Sequence, residues 1–134
     1  MTPRAKGGWA ALLCAFVIVP LPAFAHHSFA MFDVNRTTSL QGVVEDFEMK
    51  NPHGWLDLMV LDDQGKPREW SLETAAPATL SRAGWTQTTV HPGDKVTVTL
   101  HPMRDGSNGG ALLSVNLPGG RSLWAGQPQY GRQP

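Results

Sequence analysis

The 134-residue chain has little cysteine, little tyrosine and no excess of either charge: one Cys, one Tyr, and eleven basic against eleven acidic residues. Cys14 lies inside the apolar run 9–21, after Leu12 and Leu13 rather than after the small residue that a lipoprotein cleavage site wants. If that run is removed, the remaining chain has no disulfide, no thiolate metal ligand and no thiol nucleophile. Its stability then has to come from a packed core. The run also falls short of the roughly 20 residues needed to span a bilayer. Clustered Lys and Arg are absent too, which excludes counterion-replacing contact with nucleic acid and a polybasic grip on anionic lipid.

What the N-terminus does have is the three-part pattern of a secretory signal. Arg4 and Lys6 form the basic region, the apolar run follows, and Ala23 and Ala25 flank Phe24 as small residues around a cleavage point. Cleavage after Ala25 is expected, giving a soluble periplasmic or secreted protein with no membrane anchor. Without Arg4 and Lys6, nine basic residues face eleven acidic ones. The expected division is a signal peptide over 1–25, one domain over 26–123, and a flexible C-terminal tail over 124–134. A mature chain of this length suits one small domain.

From Leu40 onward, short strand patterns alternate with turn signals. LQGVVEDFEMK, 40–50, reads as a first strand with a bend or bulge near Gly42. HGWLDLMVL, 53–61, alternates: Leu56, Leu58 and Val60 on one face, with His53, Trp55, Asp57 and Met59 on the other. Asp62-Asp63-Gln64-Gly65 is a hairpin turn. PREWSLET follows, with Trp70 and Leu72 inward and Glu69, Ser71 and Glu73 outward.

TAAPATLSRAGW reads as a short helix capped by Thr74, with Pro77 in its first turn. It ends at Gly84 in the left-handed conformation, with Trp85 folded back on Leu80. His91-Pro92-Gly93-Asp94 fits a type II turn. KVTVTLHP and ALLSVNL are the last two strands, joined by the glycine-rich loop 104–110. The chain from Pro118 is expected to be loosely attached.

Three strands, a helix and two strands is the order of an OB-fold. The expected class is therefore all-β, a small five-stranded barrel with one short helix between strands 3 and 4. The same alternation would also serve a β-sandwich or an open antiparallel sheet.

All five histidines follow residue 25, and none stands in a zinc-enzyme spacing. Cleavage after Ala25 would give His26 a free α-amine beside its own imidazole, two donors that chelate one ion. A second imidazole would complete a histidine brace, which suits copper; His27 offers an alternative linear Cu(I) site. An exposed start suited to export is the plainer account of this pair.

His53 falls where strand 1 turns into strand 2, and His101 where the loop between strands 4 and 5 begins. In an OB-fold both loops border the ligand-binding face. The candidate metal set is thus His26, His27, His53 and His101, with Met103 as a soft thioether beside them. Solvated or hydrogen-bonded turn histidines are the plainer account here as well, and His91 is assigned to its turn.

Trp55 and Asp57, on the same side as His53, mark the metal-free alternative, a face for a small ligand or a periplasmic protein partner. No nucleophile elbow or phosphate-cradling loop is present, so an enzyme is the minority reading. A copper redox enzyme ranks last, since so short a chain leaves little area for a substrate.

HHSFAMFD, GVVEDFEMKNPHGW, W-x-LE followed by L-x-R-x-GWT, PGDKVTV and HPMRDG together resemble a group of small exported bacterial proteins, domain-of-unknown-function family 6152. The resemblance runs from His26 to about Leu123, and nothing after Trp124 takes part in it. It implies an exported single-domain protein with the double histidine and the NPH segment as hallmarks. No activity comes with it.

Overall fold

The computed structural model of the chain describes residues 30–128. Strands β1 (Thr38–Glu48), β2 (Trp55–Leu61) and β3 (Pro67–Glu73) form a meander. Helix α1 (Pro77–Arg82), β4 (Lys95–Pro102), β5 (Gly109–Asn116) and a short β6 (Ser122–Trp124) follow. Hydrogen-bonded neighbours run β3-β2-β1-β4-β5-β6, and β3 also pairs with β5. That last pairing is parallel, Ser71 to Gly109, Leu72 to Gly110 and Glu73 to Ala111, and it closes five strands into a barrel. The pairing covers the end of β3, and β6 borders the far end of β5. With the helix between β3 and β4, this is the expected OB-like architecture.

The alternation of the sequence sets which side chains go inside. Leu56, Leu58 and Val60 of β2 are buried, as are Val96, Val98 and Leu100 of β4. Leu80 of α1 and Trp85 just after it join the same core. The helix ends as its glycine predicts: Gly84 has φ 92°. Trp85 N–H donates to Leu80 O and Gly84 N–H to Ser81 O, the paired bonds of a Schellman ending. The Trp85 ring tilts against Phe47 at 5.2 Å.

At its start the helix departs from expectation. Ala76 occupies the N-cap without a side-chain bond, and the Thr74 hydroxyl donates instead to the neighbouring Ala75 carbonyl.

The bulge in β1 falls between Val44 and Asp46, so that Glu45 is the extra residue, rather than at Gly42. Gly42 answers a different need. A Cβ there would stand 2.9 Å from the Met59 carbonyl oxygen, where strands pack too closely for a side chain. At the β2–β3 hairpin, the Asp62 carboxylate accepts from Lys66 N–H, Gln64 N–H and Arg68 Nε. These bonds, that from Lys66 first, hold its carboxyl below the usual range.

Two outward positions are covered. Glu73 and His101, read as outward from the pleat, are both buried. Asp33 N–H donates to Pro102 O, and the His101 ring Nδ1 lies 2.8 Å from the Arg36 carbonyl oxygen, so the segment before β1 lies over the end of β4. The other cover comes from the chain after β6. Ala75 N–H donates to Ala125 O, while Ala125 and Gly126 N–H both donate to Leu113 O. Trp85 Nε1 donates to Trp124 O, and Gln127 Nε2 donates to Glu73 Oε1 at 2.7 Å.

Residues 124–127, expected as the start of a loose tail, are thus integrated, with Ala125 and Gln127 buried. Density of proline and glycine marks an irregular path here, not a detached one.

Two stability measurements test these contacts. Gly110→Ala would place a Cβ 2.4 Å from the His101 carbonyl oxygen, where β5 packs against β4. It should lower the stability by about 1–3 kcal/mol in urea unfolding; an unchanged midpoint would show that β4 and β5 are not tightly packed there. Gln127→Leu removes a charge-assisted bond from a buried carboxylate and should cost about 1.5–3 kcal/mol. A value near zero would mean that residues beyond 124 do not secure the fold.

Candidate functional site

Within each strand, side chains that alternate with the core residues face outward. On β2 these are Trp55, Asp57 and Met59, all half-buried. The hairpin register sets Trp55 opposite Glu73 and Asp57 opposite Ser71, and the Ser71 hydroxyl donates to Asp57 Oδ1 at 2.6 Å. Barrel closure continues both rungs onto β5, where Ser71 meets Gly109 and Glu73 meets Ala111. The two predicted ligand-face residues are therefore neighbours on one surface, and that surface reaches the loop between β4 and β5.

A cleft of about 200 Å³ opens there. Trp55 and Ser71 line it from β2 and β3, Met103 and Asn108 from the β4–β5 loop, and Met31 and Phe32 from the chain before β1. The missing side chain of Gly109 leaves room beside the Met103 side chain: a Cβ would sit 3.4 Å from Met103 Cγ and 3.1 Å from the Ser71 carbonyl oxygen.

Backbone contacts fix the two walls to each other. Phe32 pairs with Met103 as an antiparallel bridge, Arg104 N–H donates to Met31 O, and Arg104 Nε donates to Ala30 O. Phe32 is buried, whereas Met31 is 44% exposed at the mouth. Among the described residues that line it, none carries a carboxylate, imidazole or ammonium group.

The predicted histidines are placed differently. His53 Nε2 lies 3.6 Å from Glu73 Oε1, the oxygen to which Gln127 donates, and its Nδ1 is buried with no hydrogen-bond partner among the described residues. The following Gly54 packs so closely that a Cβ would stand 2.5 Å from the Glu48 carbonyl oxygen. His101 shares a rung with Ala111, Glu73 and Trp55, three strand spacings of roughly 4.8 Å each from Trp55. Each of the two imidazoles thus faces its own partner.

Among the described residues, no three His, Cys, Asp or Glu side chains gather in a metal-holding group. His26 and His27 lie outside the described residues. His91 stays in its turn, where its N–H donates to Asp94 Oδ2.

The sequence did not point to Glu73, Gln127 or Met31. A signal for Glu73 was present in the hairpin: a turn at 62–65 dictates that Trp55 stands opposite Glu73, two residues from His53. Nothing comparable marks Gln127, whose burial depends on the path after β6.

A larger groove of about 520 Å³ runs over Gln41, Gly42, Val43, Met59, Leu61 and Lys95. It lies where β1 passes its pairing from β4 to β2, at Val43, which faces both Lys95 and Met59. Strands diverging from a shared partner leave such a seam in any bent strand pair, and none of the predicted site residues borders it.

Among the described residues, no helix is long and apolar enough to cross a membrane. No curated protein and no solved structure matches the chain. The model of the family of unknown function DUF6152 matches residues 14–113, well over half of the sequence, and the chain belongs to that family.

Proposed function

We propose that the protein is an exported binding module whose ligand site is the cleft beside Trp55. The observation that carries this reading is the meeting of an outward indole with an apolar cleft at the β2–β3 face and the β4–β5 loop. OB-like barrels in general bind at that face and that loop, so position and lining agree. The volume is below the range typical of drug-sized ligands. It suits a small molecule, an ion or one inserted side chain of a partner.

Loss of the indole should weaken a small aromatic fluorophore, a naphthalene derivative, by about tenfold to a hundredfold, the worth of one buried aromatic contact. Fluorescence titration of the mature protein and its Trp55→Ala variant measures this. Equal affinity in a folded variant would place the site elsewhere.

A second reading keeps copper at the mature N-terminus, through the amine and imidazole of His26. One observation favours it: Ala30 and Met31 are tied to Arg104. The chain from Ala30 onward is therefore held at the Trp55 cleft. Protein starting at His26 should bind Cu(II) one-to-one, and one extra N-terminal residue should weaken that binding at least about a hundredfold by converting the amine to an amide. Equal binding by both forms would eliminate the terminal chelate.

A further inference from the structure

We propose that the Trp55 cleft is a Cu(I) site, in which the thioethers of Met31 and Met103 supply the donor atoms beside the indole of Trp55. This rests on the reading of that cleft as the ligand site, and it names the ligand.

Three features of the cleft lead there. The first is the placement of Met31. Methionine in a protein usually fills irregular gaps in a core, but Met31 is 44% exposed, at the mouth of a cleft and outside the core. A long side chain held there gains little from burial, so its sulfur is the part left to explain.

The second is the fixed relation of the two methionines. They belong to segments far apart in sequence, joined by the Phe32–Met103 bridge and the Arg104 N–H bond to Met31 O. Both line the same volume of about 200 Å³. The backbone therefore brings two thioether-bearing residues to one small space before any ligand arrives.

The third is what surrounds them. The rest of the described lining consists of aromatic, hydroxyl, amide and glycine groups, with no carboxylate or imidazole among them. Hard cations such as Mg²⁺ and Ca²⁺ need carboxylate or carbonyl oxygen, while Zn(II) and Cu(II) favour imidazole or thiolate. Neutral thioethers offer these ions little, and they select the soft monovalent Cu(I).

An adjacent indole adds attraction for a cation through its ring quadrupole. Of the described imidazoles nearby, His53 Nε2 stands beside Glu73 and the His101 ring beside the Arg36 carbonyl, and neither residue lines the cleft. The ion would enter and leave as Cu(I), with no change of oxidation state and no proton released by the neutral thioethers.

Anaerobic Cu(I) titration of the mature protein in competition with bicinchoninate tests this, with Met31→Ile, Met103→Ile and the double variant alongside. Isoleucine keeps the apolar bulk and removes sulfur. Each single variant should bind Cu(I) at least about tenfold more weakly and the double variant at least about a hundredfold. Far-UV circular dichroism and the urea midpoint confirm the fold of each variant, and the exposed Met31→Ile keeps the test available if Met103→Ile is unstable. The same series on protein carrying one extra N-terminal residue separates the cleft from a terminal chelate.

Cu(I) affinity unchanged in the double variant would overturn the proposal, and so would affinity lost only on blocking the terminus. If Cu(I) fails to bind while the naphthalene probe still binds in a Trp55-dependent way, the copper assignment falls and the cleft remains a ligand site. If neither binds, both fall.

Discussion

The parallel pairing of β3 with β5 is the contact on which the rest of the structure depends. It joins the last strand of the meander to the last strand of the ring, through Ser71–Gly109, Leu72–Gly110 and Glu73–Ala111. Gly109 makes the approach feasible, since a Cβ there would stand 3.1 Å from the Ser71 carbonyl oxygen. At Gly110 a methyl group would stand within 2.5 Å of both the His101 carbonyl oxygen and a Leu100 methyl, so the same stretch also packs β5 tightly against β4. The same two residues end the glycine-rich loop 104–110, so one stretch of sequence both closes the barrel and borders the cleft. A looser closure would separate Ser71 and Trp55 from Met103, and the cleft would lose a wall.

Closure alone would leave one end of the barrel with outward polar groups, and the chain on either side of the ring covers them. The segment before β1 covers His101, and the segment after β6 reaches Glu73 through Gln127. Glu73 is 4% exposed, a position a carboxylate tolerates only with hydrogen-bond donors close by. Gln127 supplies one, and the His53 ring stands beside it. The covering segments therefore do more than shield apolar surface. One carries Met31 and Phe32 to the cleft, while the other anchors the end of β3 one rung from Ser71.

Most of the barrel was legible because each strand has one face in the core and one outside, which period-two alternation reports directly. The β2 pattern placed Leu56, Leu58 and Val60 inside and Trp55 and Asp57 outside, and Gly84 marked the helix ending. What failed were expectations that depended on a third layer. Glu73 and His101 follow the alternation and point outward, yet non-local segments bury them, and no local period records that. Residues 124–127 were misread for a related reason: β6 has three residues, too few to show a period. Trp55 was legible as an outward residue, and it borders the cleft. Met31 was not legible as a neighbour of it, because Met103, which lines the same cleft, lies some seventy positions away and only the Phe32–Met103 bridge brings the two segments together.

For the Cu(I) proposed at the cleft, long-range attraction would come from charge on the neighbouring strands. On the neighbouring strand, Asp46 stands opposite Asp57, and Glu48 opposite Trp55. Lys50 pairs with Glu48, and the acidic groups around it, Glu48 first, raise the pKa of its ammonium group. One lysine against three carboxylates leaves this side of β1 and β2 negative on balance. Fields of this kind raise the local concentration of positive ions and speed their encounter, without discriminating strongly among them. Discrimination has to come from donors at short range, and the cleft presents sulfur, an indole and neutral oxygen there. Attraction and selection are thus separated in space, acidic groups acting on the strands outside the cleft and soft donors within it.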